Sequence, residues 1–378
     1  MSIRSLVAER RVIICCGSGG VGKTTTAAAL ALTAARRGRR ACVVTIDPAR
    51  RLADTLGLAG LTDQAAEIDP ALWAVGGPDL VPGGSLSALM LDTKSTFDRL
   101  VTRNAPDPEQ AARILDNRFY RNVSGALGGT QEYMAMEKLH ELHDEGDFYL
   151  IVVDTPPTRH ALDFLDAPER LLRLLDNRIF RLLMTPTRVS MRVASVAVQT
   201  FLHTVGRVVG SEVVDDVIEF LRAFDGMEEG FRSRADAVGT LLADSGTAFV
   251  LVTSPRRDAV EEATFFAERL AEDARAIAAL VVNRVHPDFG GADPTGLRAT
   301  ATALAAATDA ATDTAARRLG IAYENLADFR AVAILEREHL AGLRGRTADT
   351  VYVPYLAHDV HDFATLREVG TLLTDATA

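Results

Sequence analysis

The residues with the clearest chemical meaning lie near the start of the chain, in the segment GSGGVGKT from Gly17 to Thr24. This segment follows the apolar run Val12 to Cys16 and precedes an alanine-rich stretch, which is the order of strand, loop and helix that a phosphate-binding P-loop requires. Its glycines let successive backbone N–H groups point inward, where the start of a helix adds partial positive charge. The spacing therefore predicts a site for a nucleoside triphosphate.

Two side chains of the loop carry specific expectations. Lys23 is predicted to reach the β and γ phosphates, and the Thr24 hydroxyl to occupy a Mg²⁺ position, because Mg²⁺ prefers hard oxygen ligands. The other predicted nucleotide-binding residues of the segment are Gly19, Gly20, Val21, Gly22 and Thr25. The alternative is a glycine-rich turn that matches the motif by chance. Only three of the 41 basic residues are lysines, so a lysine at this position is rarely a coincidence.

Transfer of a phosphoryl group to water needs a second carboxylate near the Mg²⁺ and a group that orients the attacking water. Two aspartates qualify, because each ends an apolar strand candidate: Asp154 follows Tyr149 to Val153, and Asp47 follows Val43 to Ile46. Asp154 has the Walker B arrangement, which places a carboxylate at the sheet edge beside the P-loop. The alternative for both is an ordinary helix or turn cap, a position that aspartate favours.

The segments that follow these two aspartates resemble the switch segments of the ArsA family of ATPases. This family joins the arsenite-pump ATPase to the ATPase that delivers tail-anchored membrane proteins. The resemblance is carried by DPARRLADTLG at 47–57, DTPPTRHAL at 154–162, GTQE at 129–132, VVN at 281–283, VPYL at 353–356 and DV at 359–360. These matches occur in order along nearly the whole chain.

The resemblance implies roles for four residues. Asp47 would activate the attacking water, Asp154 would support the Mg²⁺ shell through water, Asn283 would read the adenine edge and Pro354 would pack beside the base. ATP and Mg²⁺ are therefore the expected cofactors. Adenine is favoured over guanine because an asparagine amide can both donate and accept, whereas guanine recognition usually employs an aspartate that the segment NRVHP lacks.

The chain also departs from the family. Ser18 stands where the family has a signature lysine, which reaches the phosphates of the opposing subunit in a dimer. The resemblance implies a homo- or heterodimer, and Ser18 favours a heteromer with a paralogous subunit that retains the lysine. The alternative is an arginine of the same chain that compensates for Ser18. The zinc-binding CxxC of one branch and the metalloid-binding cysteines of the other are absent, so neither metal chemistry transfers.

Short apolar strands that alternate with helices predict the elements that position these residues. The expected fold is an α/β P-loop NTPase, with a central, mostly parallel sheet flanked by helices and an inserted helical subdomain. Beyond the first strand, the candidates are Ala41–Ile46, Leu89–Leu91, Tyr149–Val153, Ala248–Thr253, Ala279–Val285 and Val351–Val353. Residues 1–378 are expected to form one domain, with the helical subdomain at about 95–145 and 158–245 and a further helical excursion at about 287–345.

Composition limits the function classes. The 41 basic and 51 acidic residues give a net charge of −10, which disfavours nucleic acid as a general partner. No apolar run approaches the length of a membrane span, and the N-terminus lacks the pattern of a signal peptide, so a cytoplasmic protein that is not integral to a membrane is expected. Cys15, Cys16 and Cys42 lie in strand candidates and are predicted to be small core residues.

Together these features predict an ATP-binding and ATP-hydrolysing enzyme whose nucleotide-driven dimer rearrangement serves client delivery or transport-linked work. One alternative is a catalytically weak nucleotide-binding subunit that completes or regulates a paralogous ATPase. The energiser of an anion or metalloid efflux pump is a further alternative, which the missing cysteines disfavour. An amphipathic stretch at 192–209 could line a groove for a hydrophobic client segment or pack against neighbouring helices.

Overall fold

The computed structural model describes residues 2–46, 51–58, 60–77, 79–123, 130–177, 211–273, 275–307, 314–343, 345 and 349–375. Its strands are β1 Val12–Cys16, β2 Arg40–Thr45, β3 Ala66–Glu67, β4 Ser85–Met90, β5 Leu150–Asp154, β6 Thr247–Thr253, β7 Ile277–Val285 and β8 Thr350–Pro354. They form one sheet in the order β3-β4-β2-β5-β1-β6-β7-β8. All neighbouring pairs are parallel except β3 with β4.

The helices are α1 Ile3–Glu9, α2 Lys23–Arg36, α3 Arg51–Thr55, α4 Pro70–Trp73, α5 Thr93–Asn104, α6 Pro108–Asp116, α7 Arg118–Val123, α8 Thr130–Glu145 and α9 Thr158–Asp176. They continue with α10 Ser211–Ala223, α11 Glu228–Ala243, α12 Arg257–Glu272, α13 Pro294–Ala307, α14 Thr314–His339 and α15 Phe363–Asp375. A short 3₁₀ helix, Leu340–Leu343, follows α14. This architecture confirms the predicted α/β class.

Both faces of the sheet are covered, which explains why β1 is apolar throughout and why β2, β5 and β6 are apolar except at their ends. Successive residues of a strand point to opposite faces, so Val43 contributes to one core and Val44 to the other. Helices α1, α2 and α15 pack on the first face, and helices α8, α11 and α12 pack on the second. A parallel sheet buried in this way places its functional groups at the carboxyl ends of the strands.

Two strands differ from the sequence expectation. Strand β4 begins at Ser85, four residues before the predicted start, because Ser87 is buried within it and interrupts the apolar run used to find it. The two-residue strand β3 is not predicted at all, since both of its residues are exposed and it pairs only at the antiparallel edge. A search for apolar runs cannot detect such an edge pair.

A third apolar cluster lies among helices α5, α6, α8, α9, α10 and α11. Its aromatic members stack on one another, with ring centroids 5.2 Å apart for Phe97 and Tyr120 and 4.9 Å apart for Phe220 and Phe224. These helices fall within the segments expected to form a helical subdomain. The amphipathic stretch at 192–209 lies outside the described residues.

Among the helices that the structure describes, none combines the length and the apolar character needed to cross a membrane.

Candidate functional site

The predicted P-loop connects the buried strand β1 to helix α2 through backbone conformations that require glycine. Gly17 has φ 151°, and a Cβ there would lie 2.0 Å from the carbonyl oxygen of Val252 on β6. Gly22, at the N-cap of α2, has φ 98° and ψ 25°. The close approach of β6 and the left-handed turn therefore explain two of the glycines in the motif.

The polar groups of the loop suit an anion. Lys23 is buried, and its Nζ donates to the carbonyl oxygen of Ser18 at 2.8 Å, so the ammonium is held across the loop. The Ser18 hydroxyl is also buried, and it has no hydrogen-bond partner among the described residues. A buried hydroxyl without a partner is costly, and a phosphate oxygen is one group that would satisfy it. The loop thus fits the phosphate chain that the sequence predicts.

Strand pairing brings Asp154 to the P-loop from a distant part of the sequence. Asp154 ends β5 opposite Cys15 of β1 and Thr45 of β2, and its side chain is only 1% exposed. Asp154 Oδ2 accepts hydrogen bonds from Thr24 Oγ1 at 2.7 Å and from Thr45 Oγ1 at 3.1 Å. The Thr24 hydroxyl and the Asp154 carboxylate therefore lie together, and both offer oxygen atoms of the kind that Mg²⁺ prefers.

A cavity of about 350 Å³ opens over these groups. Its lining includes five residues predicted from the loop and Asp154, and five others that the sequence analysis did not select. The predicted lining residues are Gly20, Gly22, Lys23, Thr24, Thr25 and Asp154; the additional ones are Asp54, Thr55, Thr155, Pro157 and Arg284. Four of the additional residues fall inside the two switch-like segments, so those segments were the signal that could have found them.

Asp47 lies outside the described residues, but the strand that leads to it ends beside Asp154, which lines the cavity. The Ile46 N–H donates to the carbonyl oxygen of Asp154 at 3.2 Å. The Gln131 amide, in the segment GTQE, donates to the carbonyl oxygen of Ile46 at 3.1 Å. The backbone immediately before Asp47 is therefore bonded both to the end of β5 and to the start of α8.

The two residues expected at the adenine lie at the carboxyl ends of neighbouring strands. Asn283 Nδ2 donates to the carbonyl oxygen of Val21 at 2.9 Å, so β7 is bonded directly to the P-loop. Pro354 is opposite Val285 at the end of β8 and lines a second hollow, together with His286 and Tyr352. Contact of either residue with a base stays a prediction.

The three cysteines are buried and free, and two of them lie in the strand that enters the P-loop. Burial raises the pKa of Cys16 and of Cys42 to about 12. Burial, and secondly the charge of Asp154, raises the pKa of Cys15 well above its usual range. These thiols are therefore protonated at neutral pH and pack as small apolar groups.

Comparison with known proteins identifies the family of the chain. No curated protein matches the chain. The ArsA ATPase family, described as anion-transporting ATPase, matches it over residues 10–295, a segment that contains the P-loop, Asp154 and Asn283. Because the match covers more than half of the 378 residues, the chain belongs to the ArsA ATPase family.

Proposed function

We propose that this protein binds ATP with Mg²⁺ at the P-loop and hydrolyses it. The observation that carries the proposal is the 2.7 Å contact between Thr24 Oγ1 and Asp154 Oδ2, in the cavity that Lys23 also lines. A threonine hydroxyl, a buried carboxylate and a lysine at the start of a helix are the groups with which P-loop enzymes hold a metal–triphosphate complex. A metal-bound nucleoside triphosphate would engage all three together.

In this proposal Lys23 and the backbone N–H groups at the start of α2 bind the β and γ phosphates. Thr24 contributes its hydroxyl to the metal, and Asp154 supports the metal shell through water. The bound Mg²⁺ would neutralise charge on the phosphate oxygens. Asp47 orients the attacking water, while Asn283 and Pro354 hold the adenine.

The output of hydrolysis is a rearrangement of a dimer that serves client delivery or transport-linked work in the cytoplasm. A second candidate follows from Ser18, since the position at which the family carries a cation has a buried hydroxyl here. Without that charge the chain would be a slow ATPase that completes or regulates a paralogous subunit. An arginine finger is worth roughly 10³ to 10⁵ in rate, which indicates how much a missing cation can cost.

Titration calorimetry with ATP and Mg²⁺ tests the binding step. Lys23→Ala should abolish tight binding, because each charge-assisted hydrogen bond is worth about 1.5–3 kcal/mol, or roughly 10- to 150-fold in affinity. Lys94→Ala is the matched control, since Lys94 is 53% exposed on α5 and pairs with Asp98. Near-normal ATP affinity in Lys23→Ala would contradict the assignment of the P-loop.

Hydrolysis is tested separately with Asp47→Asn. This change should leave ATP affinity nearly intact and slow turnover, because it alters the water-orienting carboxylate and not the phosphate-binding loop. Unchanged turnover would remove Asp47 from the mechanism.

Size-exclusion chromatography combined with ATPase assays distinguishes the two candidate outputs. If Ser18 leaves the site without a needed positive charge, we expect the homomer to hydrolyse ATP slowly. A paralogous subunit that carries the lysine should then activate it. Brisk turnover by the purified homomer, unaffected by Ser18→Lys, would rule out the heteromer.

A further inference from the structure

Arg284, directly after Asn283 on β7, has an unusual backbone conformation. Its φ is 61°, and among the described residues it is the only non-glycine residue with a positive φ. The left-handed region is costly for a side chain such as arginine and persists only where the surroundings impose it. Such outliers concentrate at active sites and ligand-binding sites.

A bulge in the sheet gives Arg284 this conformation. Asn283 pairs with Val353 and Val285 pairs with Pro354, so Arg284 is an extra residue on β7 with no partner position on β8. Its N–H donates to Asn283 Oδ1 at 2.9 Å. Bulges next to active sites commonly redirect a side chain. Here the redirected side chain leaves the strand direction and turns to the P-loop.

The guanidinium of Arg284 lies over the loop, where Nη1 donates to the carbonyl oxygen of Gly20 at 3.2 Å. The residue is exposed and lines the cavity above Lys23 and Asp154. The free energy that one long hydrogen bond contributes on an exposed surface is too small to offset the cost of a left-handed arginine. The remaining N–H groups of the guanidinium are geometrically suited to phosphate oxygens, which arginine binds through two parallel hydrogen bonds.

The charges around the cavity also favour a contact between Arg284 and phosphate. Among the residues that the structure describes, the charged ones that line the cavity are Lys23, Arg284, Asp54 and Asp154, so these two cations only balance these two carboxylates. Lys23 already donates to the carbonyl oxygen of Ser18. A phosphate chain brings several further negative charges to this space, and Arg284 is the cation that lines it with Lys23 in the described part of the chain.

We propose that Arg284 is a nucleotide-binding residue whose guanidinium donates to the phosphate chain of the nucleotide held in the P-loop of the same subunit. This inference rests on the proposed ATP binding and adds to it a cation supplied by the same chain. The bulge at Arg284 is the feature that directs this cation to the loop. A site completed in this way depends less on a cation from a second subunit.

Calorimetry on the full chain with Mg²⁺ and ATP tests the proposal through Arg284→Asn. Asparagine tolerates the left-handed conformation, so this variant removes the guanidinium without adding backbone strain. Its affinity for ATP should fall by about 10-fold or more at low salt, the scale expected for a lost charge-assisted contact. Arg284→Lys should lose less. Arg257→Ala, at a side chain 80% exposed on α12, should bind as the wild type does.

Salt separates a direct phosphate contact from a structural role. Because mobile ions screen charges, the ratio of the variant and wild-type dissociation constants should shrink as ionic strength rises. A ratio near 1 at low salt would overturn the proposal, and so would a loss of affinity that is the same at all salt concentrations. If Lys23→Ala abolishes ATP binding while Arg284→Asn does not change it, only the inference about Arg284 fails. If the wild type does not bind ATP, the proposed function fails with it.

Discussion

Replacing Gly22 with alanine tests how the P-loop and β7 are held together. The expected loss in the free energy of unfolding has two parts. The first is the backbone, since φ 98° costs a residue with a Cβ about 1–2 kcal/mol. The second is contact, because the new Cβ would lie 2.2 Å from Asn283 Nδ2. Asn283 must then turn away and lose its bond to the Val21 carbonyl, which costs about 1 kcal/mol. We expect a total loss of about 2–3 kcal/mol in the free energy of unfolding.

Gly20 supplies the matched control. Its φ is 77°, yet a Cβ at this position would meet no heavy atom within 4 Å. Gly20→Ala should therefore show only the backbone cost, about 1–2 kcal/mol. The difference between the two alanine variants isolates the contact with Asn283.

Urea unfolding of a double-mutant cycle measures that contact directly. In an Asn283→Ala background the Gly22→Ala change should cost about 1 kcal/mol less than in the wild type, because the clashing amide is already gone. Strict additivity of Gly22→Ala and Asn283→Ala would refute the reasoning and place the Asn283 side chain away from the loop. Equal losses for Gly20→Ala and Gly22→Ala would refute it independently.

Three further outcomes are expected. The three buried cysteines should resist a thiol reagent in the native protein and react only on unfolding, since burial keeps these thiols protonated. For the same reason, elemental analysis should find no stoichiometric zinc. Asp154→Asn should lessen the gain in ATP affinity that Mg²⁺ provides, as calorimetry with and without the metal would show; an unchanged gain would remove Asp154 from the metal shell. Donation from the buried Arg36 lowers the pKa of Asp79 from 3.8 to about 2, so this pair stabilises the fold above the ordinary carboxyl pKa and loses that effect as the pH falls toward 2. Asp79→Asn should accordingly lower the melting temperature at neutral pH, by a small amount because Asp79 is 47% exposed. If the difference in melting temperature between variant and wild type does not shrink in acid, the ion pair with Arg36 is not its cause.

Features that depend on neighbours in the chain could be predicted from the sequence. Local patterns of residue size and polarity predict the P-loop, the burial of the cysteines and the strands β1, β2, β5, β6, β7 and β8. The short apolar strand before Asp154 predicts that this carboxylate lies at the carboxyl end of a buried strand. The edge strand β3 was missed because its two residues carry no apolar pattern.

Only the tertiary structure decided which groups meet across the sheet. Thr24 and Asp154 are 130 positions apart, and their oxygens come to 2.7 Å because β1 pairs with β5 and the P-loop carries the chain from β1 to Thr24 at the start of α2. The approach of Arg284 to Gly20 depends on a bulge between β7 and β8, which no local pattern of apolar residues encodes. The sequence by itself determined that a phosphate-binding loop follows the first strand, since a loop of this kind is made by consecutive residues. Asp154 and Arg284 come from strands that are distant in sequence from that loop, and only the order of these strands in the folded sheet brings both charges to the same cavity.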